Sequence, residues 1–168
     1  QLVMTVHERW MQYALKEAEK ALAKDEVPIG AVIVHNETII GKGFNQVEMM
    51  KDPTAHAEMI AITAATSHLS QKWLNECTLY VTLEPCSMCA GAIVLARMQN
   101  LVFASFDPKT GACGSVHSLV EDKRLNHRVH VISGVMDKEC GGLLQEFFRK
   151  KRKNCPSNAA TSNPLPRR

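Results

Sequence analysis

The chain has 168 residues, of which 45% are hydrophobic, and its formal net charge is +3. This length favours one domain with a sizeable core over two domains. The longest uncharged apolar stretch, residues 90–96, is too short to span a bilayer, and the first residues lack the pattern of a signal peptide. We therefore expect a cytoplasmic protein without membrane segments, whose six cysteines are thiols or metal ligands and not disulfides.

The positive charge is concentrated near the C-terminus, where residues 149–153 are all Lys or Arg. A run of this kind suits contacts with phosphate groups. It is equally typical of a solvated helix end, whose cations complement the helix dipole. Residues 154–168 are rich in Ser, Asn and Pro and are predicted to form a flexible tail, so the predicted domain covers residues 1–153.

The N-terminal part of the chain predicts a helix followed by a β-hairpin. Thr5 and Glu8 have the spacing of a capping box, and apolar residues then recur at helical spacing to about Lys24. Residues 31–35 and 38–44 are rich in apolar and β-branched side chains, which is typical of paired strands. Two glycines, Gly41 and Gly43, are expected to loosen the second of these strands.

The rest of the chain predicts alternating helices and strands. Residues 52–54 can cap a second helix that begins beside His56, and Pro85 can open a third helix. Other segments predict strands at residues 77–83, 101–104 and 129–133, and a final helix from residue 137 to about 153. Helices separated by strands indicate an α/β protein, and the hairpin makes its five-stranded sheet mixed.

Two short stretches contain a candidate zinc site. His56 lies in the first stretch, and Cys86 and Cys89 have C-x-x-C spacing in the second. An imidazole and two thiols are ligands that zinc prefers. The N–H groups at a helix N-terminus would favour the thiolate form of the cysteines. A carboxylate two residues from His56 on a helix points about 200° away from it, so Glu58 is not expected to be a fourth ligand.

Three protein ligands would leave one coordination position for water. Zinc can lower the pKa of such a water to about 7, and a nearby carboxylate can carry its protons. Glu58 is the candidate for this catalytic role. Such a site fits a hydrolase that acts on an electrophilic carbon. A redox dithiol is the alternative for the C-x-x-C pair, but it would need neither His56 nor Glu58.

The two stretches read His-Ala-Glu at residues 56–58 and Pro-Cys-Ser-Met-Cys at residues 85–89. They match the H-x-E and P-C-x-x-C motifs of the zinc nucleobase deaminases, so the chain resembles that superfamily. The resemblance implies a cytidine deaminase-like fold, which is a three-layer α/β/α arrangement around a five-stranded mixed sheet. The motifs do not select a substrate, because cytidine, deoxycytidylate, guanine and riboflavin-pathway deaminases share them.

Further stretches resemble the bacterial tRNA-specific adenosine deaminases, and the similarity covers almost all of residues 5–152. The most specific stretches are residues 27–32, 43–45, 52–58, 79–92, 107–115 and 126–128. This resemblance implies a zinc enzyme that deaminates adenosine to inosine by hydrolysis at the wobble position of a tRNA anticodon. It also implies a homodimer in which both subunits contact the anticodon stem-loop.

The resemblance also implies residues that bind the flipped base. Asn45 would hydrogen-bond the base, and the backbone N–H of Ala57 would donate to it. The walls of the pocket would be Val27, Pro28 and Ile29. Considered without the resemblance, Asn45 could equally be a residue that ends a strand.

Four more residues would contact the RNA outside that pocket, according to the same resemblance. Asp107 would bind the flanking ribose or backbone, and Lys109, Phe148 and Arg149 would lie along the RNA. Two of these residues also fit ordinary structural roles. Asp107 precedes Pro108 as a turn residue does, and a phenylalanine such as Phe148 is more often in a core.

Two other functions remain open from the sequence. A free-base or nucleoside deaminase, such as a guanine deaminase, would use the same metal site. A zinc-stabilised RNA-binding module without catalysis would also account for the basic run. Guanine turnover would identify the first, and RNA binding without release of ammonia would identify the second.

Overall fold

The computed structural model describes residues 3–155 of the chain. Its elements are α1 (Val6–Ala23), β1 (Gly30–His35), β2 (Thr38–Phe44), α2 (Val47–Met50), α3 (Ala57–Leu69), β3 (Thr78–Leu83), α4 (Ser87–Leu95), β4 (Asn100–Ser105), a 3₁₀ turn (Leu119–Glu121), β5 (His130–Ile132) and α5 (Asp137–Asn154). None of the helices in this part of the chain is long and apolar enough to cross a membrane. From residue 156 onward, the predicted tail lies outside the described residues.

The five strands form one mixed sheet in the order β2-β1-β3-β4-β5. β1 pairs antiparallel with both β2 and β3, whereas β3, β4 and β5 are parallel. The three central strands are buried along almost their whole length, as strands of a sheet covered on both faces must be. The predicted five-stranded mixed sheet is confirmed.

Helices cover both faces of the sheet and bury a core on each. On one face, alanines of α3 and apolar residues of α4 join side chains such as Ile33, Val81 and Phe103. On the other face, Trp10 of α1 and Cys140 of α5 join residues of the three central strands. This arrangement is the predicted three-layer α/β/α architecture.

The glycines of β2 let α3 lie directly on the sheet. A Cβ atom on Gly41 would be 2.5 Å from the carbonyl oxygen of Ala61, and one on Gly43 would overlap the carbonyl oxygen of Ala57. Both glycines are therefore needed for the close approach of a helix. β2 pairs with β1 from Thr38 to Phe44, with one register irregularity between Ile39 and Gly41, beside the first of these glycines. Gly30 has the same role beneath α1, where a Cβ would overlap the carbonyl oxygen of Ala14.

The predicted cap of α3 is wrong, although the helix begins beside His56 as predicted. Residues 52–54 do not cap α3, because the carboxylate of Asp52 accepts hydrogen bonds from the N–H and hydroxyl of Thr54 and closes a separate turn. α3 begins at Ala57, and His56 is its N-cap residue in an extended conformation. The short helix α2, which precedes this turn, was not predicted.

We expect Gly41→Ala to lower the free energy of unfolding by about 1–3 kcal/mol, because its Cβ would crowd the backbone of α3. Urea unfolding followed by circular dichroism measures this change. Gly142→Ala is the matched control, since nothing lies within 4 Å of a Cβ at that position in α5. It should leave stability unchanged or raise it by up to about 1 kcal/mol. Equal stability of Gly41→Ala and the wild type would contradict the close contact.

Candidate metal centre and active site

The predicted site segments lie together at one edge of the sheet. Because β3 and β4 are parallel, their carboxyl ends lie at the same edge, and residues 85–89 and 106–110 follow these ends. β1 runs antiparallel to β3, so its first residue, Gly30, lies at this edge too. Gly30 pairs with Phe44, the last residue of β2. Segments that are far apart in sequence therefore meet at one place.

His56, Cys86 and Cys89 form a compact cluster at this edge. Nδ1 of His56 lies 3.6 Å from Sγ of Cys86 and 3.5 Å from Sγ of Cys89. Tetrahedral zinc, with a Zn–N bond near 2.05 Å and a Zn–S bond near 2.3 Å, would place these atoms about 3.6 Å apart. Within residues 3–155, this group of possible metal ligands has three members, so a metal there would keep an open coordination position.

Each ligand segment leads into the N-terminus of a helix. His56 is the residue before α3, Cys86 is the residue before α4, and Cys89 is the third residue of α4. The predicted angle of 200° between His56 and Glu58 applies only when both are helical, and His56 is extended. The backbone turn at the start of α3 thus allows both side chains to contribute to one site.

The pKa values of the two thiols in the cluster are shifted in opposite directions. Hydrogen bonds from Cys89 and His56 lower the pKa of Cys86 to about 4. The pKa of Cys89 is raised, chiefly because its thiol donates to Cys86 and also because it is buried. The hydrogen bond with Cys86 raises the pKa of His56 in turn. The lowered pKa of Cys86 favours its thiolate, which is the form that binds a metal.

Glu58 is a buried carboxyl group beside this cluster, with 4% of its surface exposed. Burial raises its pKa, while hydrogen bonds with its own backbone and with Cys89 oppose that rise. A carboxyl group with a raised pKa can hold and release a proton closer to neutral pH than an exposed one. This environment fits the catalytic role predicted for Glu58.

A groove of about 1130 Å³ extends from the ends of β3 and β4 along α5. Five of the residues predicted to bind substrate line it: Val27, Ile29, Asp107, Lys109 and Phe148. Three others are buried and lie outside the lining: Pro28, Asn45 and Ala57. The main-chain N–H of Asn45 donates to the carbonyl oxygen of Ile29 at 3.0 Å, which ties Asn45 to the wall of the groove.

The groove also contains residues that were not singled out from the sequence. Arg152 lines it and Arg149 does not, because Arg152 is one helical turn beyond Phe148 on α5, whereas Arg149 is turned about 100° from Phe148. Helical spacing applied to the basic run could have found Arg152. Phe106, which was not predicted to bind substrate, also lines the groove and is exposed there.

Comparison with known proteins identifies the family. Residues 5–152 match the family model of the MafB19-like deaminases. The chain is 51% identical over 150 residues to the tRNA-specific adenosine deaminase of Bacillus subtilis (strain 168), a match that covers 89% of this chain and 93% of the relative. The chain belongs to the tRNA-specific adenosine deaminases. This deaminase is also 48% identical over 147 residues to the Aquifex aeolicus (strain VF5) member, covering 88% and 97% of the two chains.

Comparison with solved structures supports the family assignment and the fold. One, from work on A-to-I editing by tRNA:A34 deaminases at the wobble position of transfer RNA, has a TM-score of 0.78 and 41% identity, and covers 81% of this chain and 99% of that chain. The guanine deaminase of Nitrosomonas europaea has a TM-score of 0.73 at 24% identity, covering 87% and 86%. At that identity it shows a shared fold only. The predicted cytidine deaminase-like fold is confirmed.

We expect His56→Ala and Cys86→Ala to weaken zinc binding by well over tenfold, because loss of an outer-shell partner alone costs about 10- to 100-fold. Competition with a chromogenic chelator and elemental analysis measure this loss. Cys155→Ala is the control, since Cys155 is an exposed thiol outside the cluster and should not affect the metal. Wild-type zinc affinity in His56→Ala would show that His56 is not a ligand.

Proposed function

We propose that this deaminase holds a zinc ion and converts adenosine to inosine, by hydrolysis, at the wobble position of a tRNA anticodon. The observation that carries the proposal is a three-ligand cluster with zinc-like spacing beside a buried carboxyl group. The names of relatives at about half identity support tRNA adenosine as the substrate. All six cysteines are free thiols, which supports the proposed cytoplasmic location.

His56, Cys86 and Cys89 would hold the metal, and zinc in this position would supply a Lewis acid that lowers the pKa of a water. Glu58 would take up the two protons of that water in turn and pass one to the ring nitrogen and the other to the amine, which departs as ammonia. Protonation of the ring nitrogen makes the attacked carbon more electrophilic. The raised pKa of Glu58 supports this shuttle, because the side chain must be both a base and an acid in one cycle.

The base itself would be bound at the start of α3. The first N–H groups of a helix have no partner within it, so the N–H of Ala57 can donate to an acceptor on the base. The buried Asn45 would supply a second hydrogen bond, and Val27 and Ile29 would form the wall, whereas the buried Pro28 does not line it. This geometry requires the adenosine to leave the base stack, which an anticodon loop permits at low cost.

The flanking RNA would lie in the groove along α5. Phe106 and Phe148 are 53% and 45% exposed there, so each offers an aromatic face for an unstacked base. Lys109 and Arg152 supply positive charge to the same groove. Within the basic run, Lys151 instead pairs with Asp25 at 2.9 Å. The groove, and not the whole basic run, is therefore the proposed path of the phosphates.

We also propose that the enzyme is a homodimer and that α4 lies in the interface. α4 is apolar on every side, which is typical of a helix that is buried all round. Its outward face carries Met88, Gly91, Ala92 and Leu95, and Leu95 is 80% exposed. A second subunit would cover this face.

We expect the wild type to form inosine in an RNA stem-loop that has adenosine at the wobble position. Glu58→Gln should lower the turnover by about 10²- to 10⁴-fold, which is the typical contribution of a general acid–base group. It should keep its zinc, because Glu58 is outside the ligand cluster. Inosine is measured by nuclease digestion and mass spectrometry, and zinc by elemental analysis.

The controls for this assay separate the alternatives. Glu19→Gln makes the same chemical change at an exposed position of α1 and should retain full activity. A stem-loop with adenosine only at another loop position should be inert. Guanine turnover with an inert wobble stem-loop would favour a guanine deaminase, and RNA binding without ammonia release would favour a non-catalytic module. Full activity of Glu58→Gln would exclude the proton shuttle.

We expect Leu95→Glu to convert the dimer into a monomer of 18.6 kDa, because it places a charge in the apolar face of α4. Light scattering after size-exclusion chromatography measures the mass. Leu22→Glu is the matched control, since it makes the same change at an exposed leucine on the opposite side of the sheet. A dimer that survives Leu95→Glu would place the interface elsewhere.

A further inference from the structure

Glu84 is a buried carboxylate between β3 and the C-x-x-C motif, with 2% of its surface exposed. Oε1 accepts a hydrogen bond from the main-chain N–H of Asp107 at 3.0 Å, and Oε2 accepts from those of Cys113 and Ser115, each at 3.0 Å. The hydroxyl of Ser115 also donates to Oε1. All four donors belong to one loop, residues 106–115, and none of them is a basic side chain.

This loop, which we name the Asp107 loop, is also attached to the chain on the other side of Glu84. The N–H of Ala112 donates to the carbonyl oxygen of Pro85 at 2.8 Å, and Gly111 forms an isolated β-bridge with Cys86. Gly111 allows this approach, because a Cβ there would overlap the Glu84 carboxylate. Glu84 thus lies between a proposed metal ligand and the loop that lines the groove.

The side chain of Asp107 is oriented by the same arrangement. Oδ1 accepts from the N–H groups of Lys109 at 3.0 Å and Thr110 at 3.2 Å, and Oδ2 accepts from the hydroxyl of Thr110 at 2.6 Å. A carboxylate can accept about four hydrogen bonds, so Oδ2 can still receive a ribose hydroxyl. The direction of that acceptor depends on the main chain at Asp107, which Glu84 holds.

We propose that Glu84 is a positioning residue for tRNA binding: its carboxylate sets the Asp107 loop at a fixed distance from the metal-binding segment, so that the flanking nucleotide and the reacting base are bound together. The inference rests on the proposed function. It requires a carboxylate, since four donors converge on two oxygens. Glutamine would place an amide N–H₂ donor at one of the two oxygen positions, so at least one main-chain N–H of the loop would lose its acceptor.

A double-mutant cycle tests the proposal, with KM and kcat measured on the wobble stem-loop. Glu84→Gln should raise KM about tenfold, the cost of one or two lost charge-assisted hydrogen bonds. Zinc content should remain at the wild-type value and kcat within about threefold of it, because no catalytic group changes. In the Asp107→Ala background, Glu84→Gln should raise KM less than twofold further, because both changes act on one loop.

Glu17→Gln is the matched control, since Glu17 is another buried carboxylate, but it lies on α1 beside Lys20. It should leave KM unchanged. If the effects of Glu84→Gln and Asp107→Ala on KM multiply, or if Glu84→Gln loses zinc and kcat at unchanged KM, the proposal is overturned. A wild type that is inert on the stem-loop would instead contradict the proposed function.

Amide hydrogen exchange gives a readout that does not depend on activity. Glu84→Gln should speed exchange at Asp107, Cys113 and Ser115 at least about tenfold, while α3 and α4 keep their protection. In Gly111→Ala, the added Cβ would overlap the Glu84 carboxylate and displace it. This variant should therefore raise KM and speed exchange at the same amides, although the carboxylate itself is retained. Unchanged exchange at these three amides in both variants would overturn the proposal, whatever the kinetics.

Discussion

The proposed catalytic centre depends on two helices that begin at the same edge of the same sheet face. α3 and α4 each carry proposed metal ligands at their N-terminal ends, so the positive ends of two helix dipoles converge on the thiol cluster. The height of α3 above the sheet is set by Gly41 and Gly43, against which the backbone of the helix lies. A larger residue in β2 would displace His56 relative to the two cysteines. Packing of small residues therefore determines the geometry of the proposed metal ligands.

The main elements of the fold and the metal cluster could be predicted because their signals are local. Strand composition, helical spacing and the C-x-x-C interval all lie within one element, and the bounds of β2 agree with the prediction. The preference of zinc for imidazole and thiol ligands suggested the grouping of His56 with Cys86 and Cys89, and the resemblance to a known family supported it. Spacing alone would have separated His56 from Glu58, because it assumed a helix where the chain is still extended.

The features that escaped prediction depend on contacts distant in sequence. α2 has four residues, and its first N–H groups are capped by the buried Glu26, which accepts from Glu48 at 3.2 Å and Met49 at 2.6 Å. Glu26 lies about twenty residues before α2 in the sequence, so no local sequence pattern at α2 indicates this cap. Glu84 is a similar case, since its donors lie more than twenty residues away. The sequence shows that Glu84 follows an apolar strand, which is unusual for a glutamate. It does not show which groups bind the carboxylate, because the fold brings them there from distant positions.

The shell of donors around Glu84 also limits how relatives of this protein can diversify. Three main-chain groups between residues 107 and 115 have to reach two oxygen atoms, so an insertion or deletion inside this interval would pull at least one of them out of register. Point changes at solvent-facing positions such as Phe106 and Lys109 carry no such penalty. New preferences for neighbouring nucleotides should therefore arise by side-chain replacement at constant loop length.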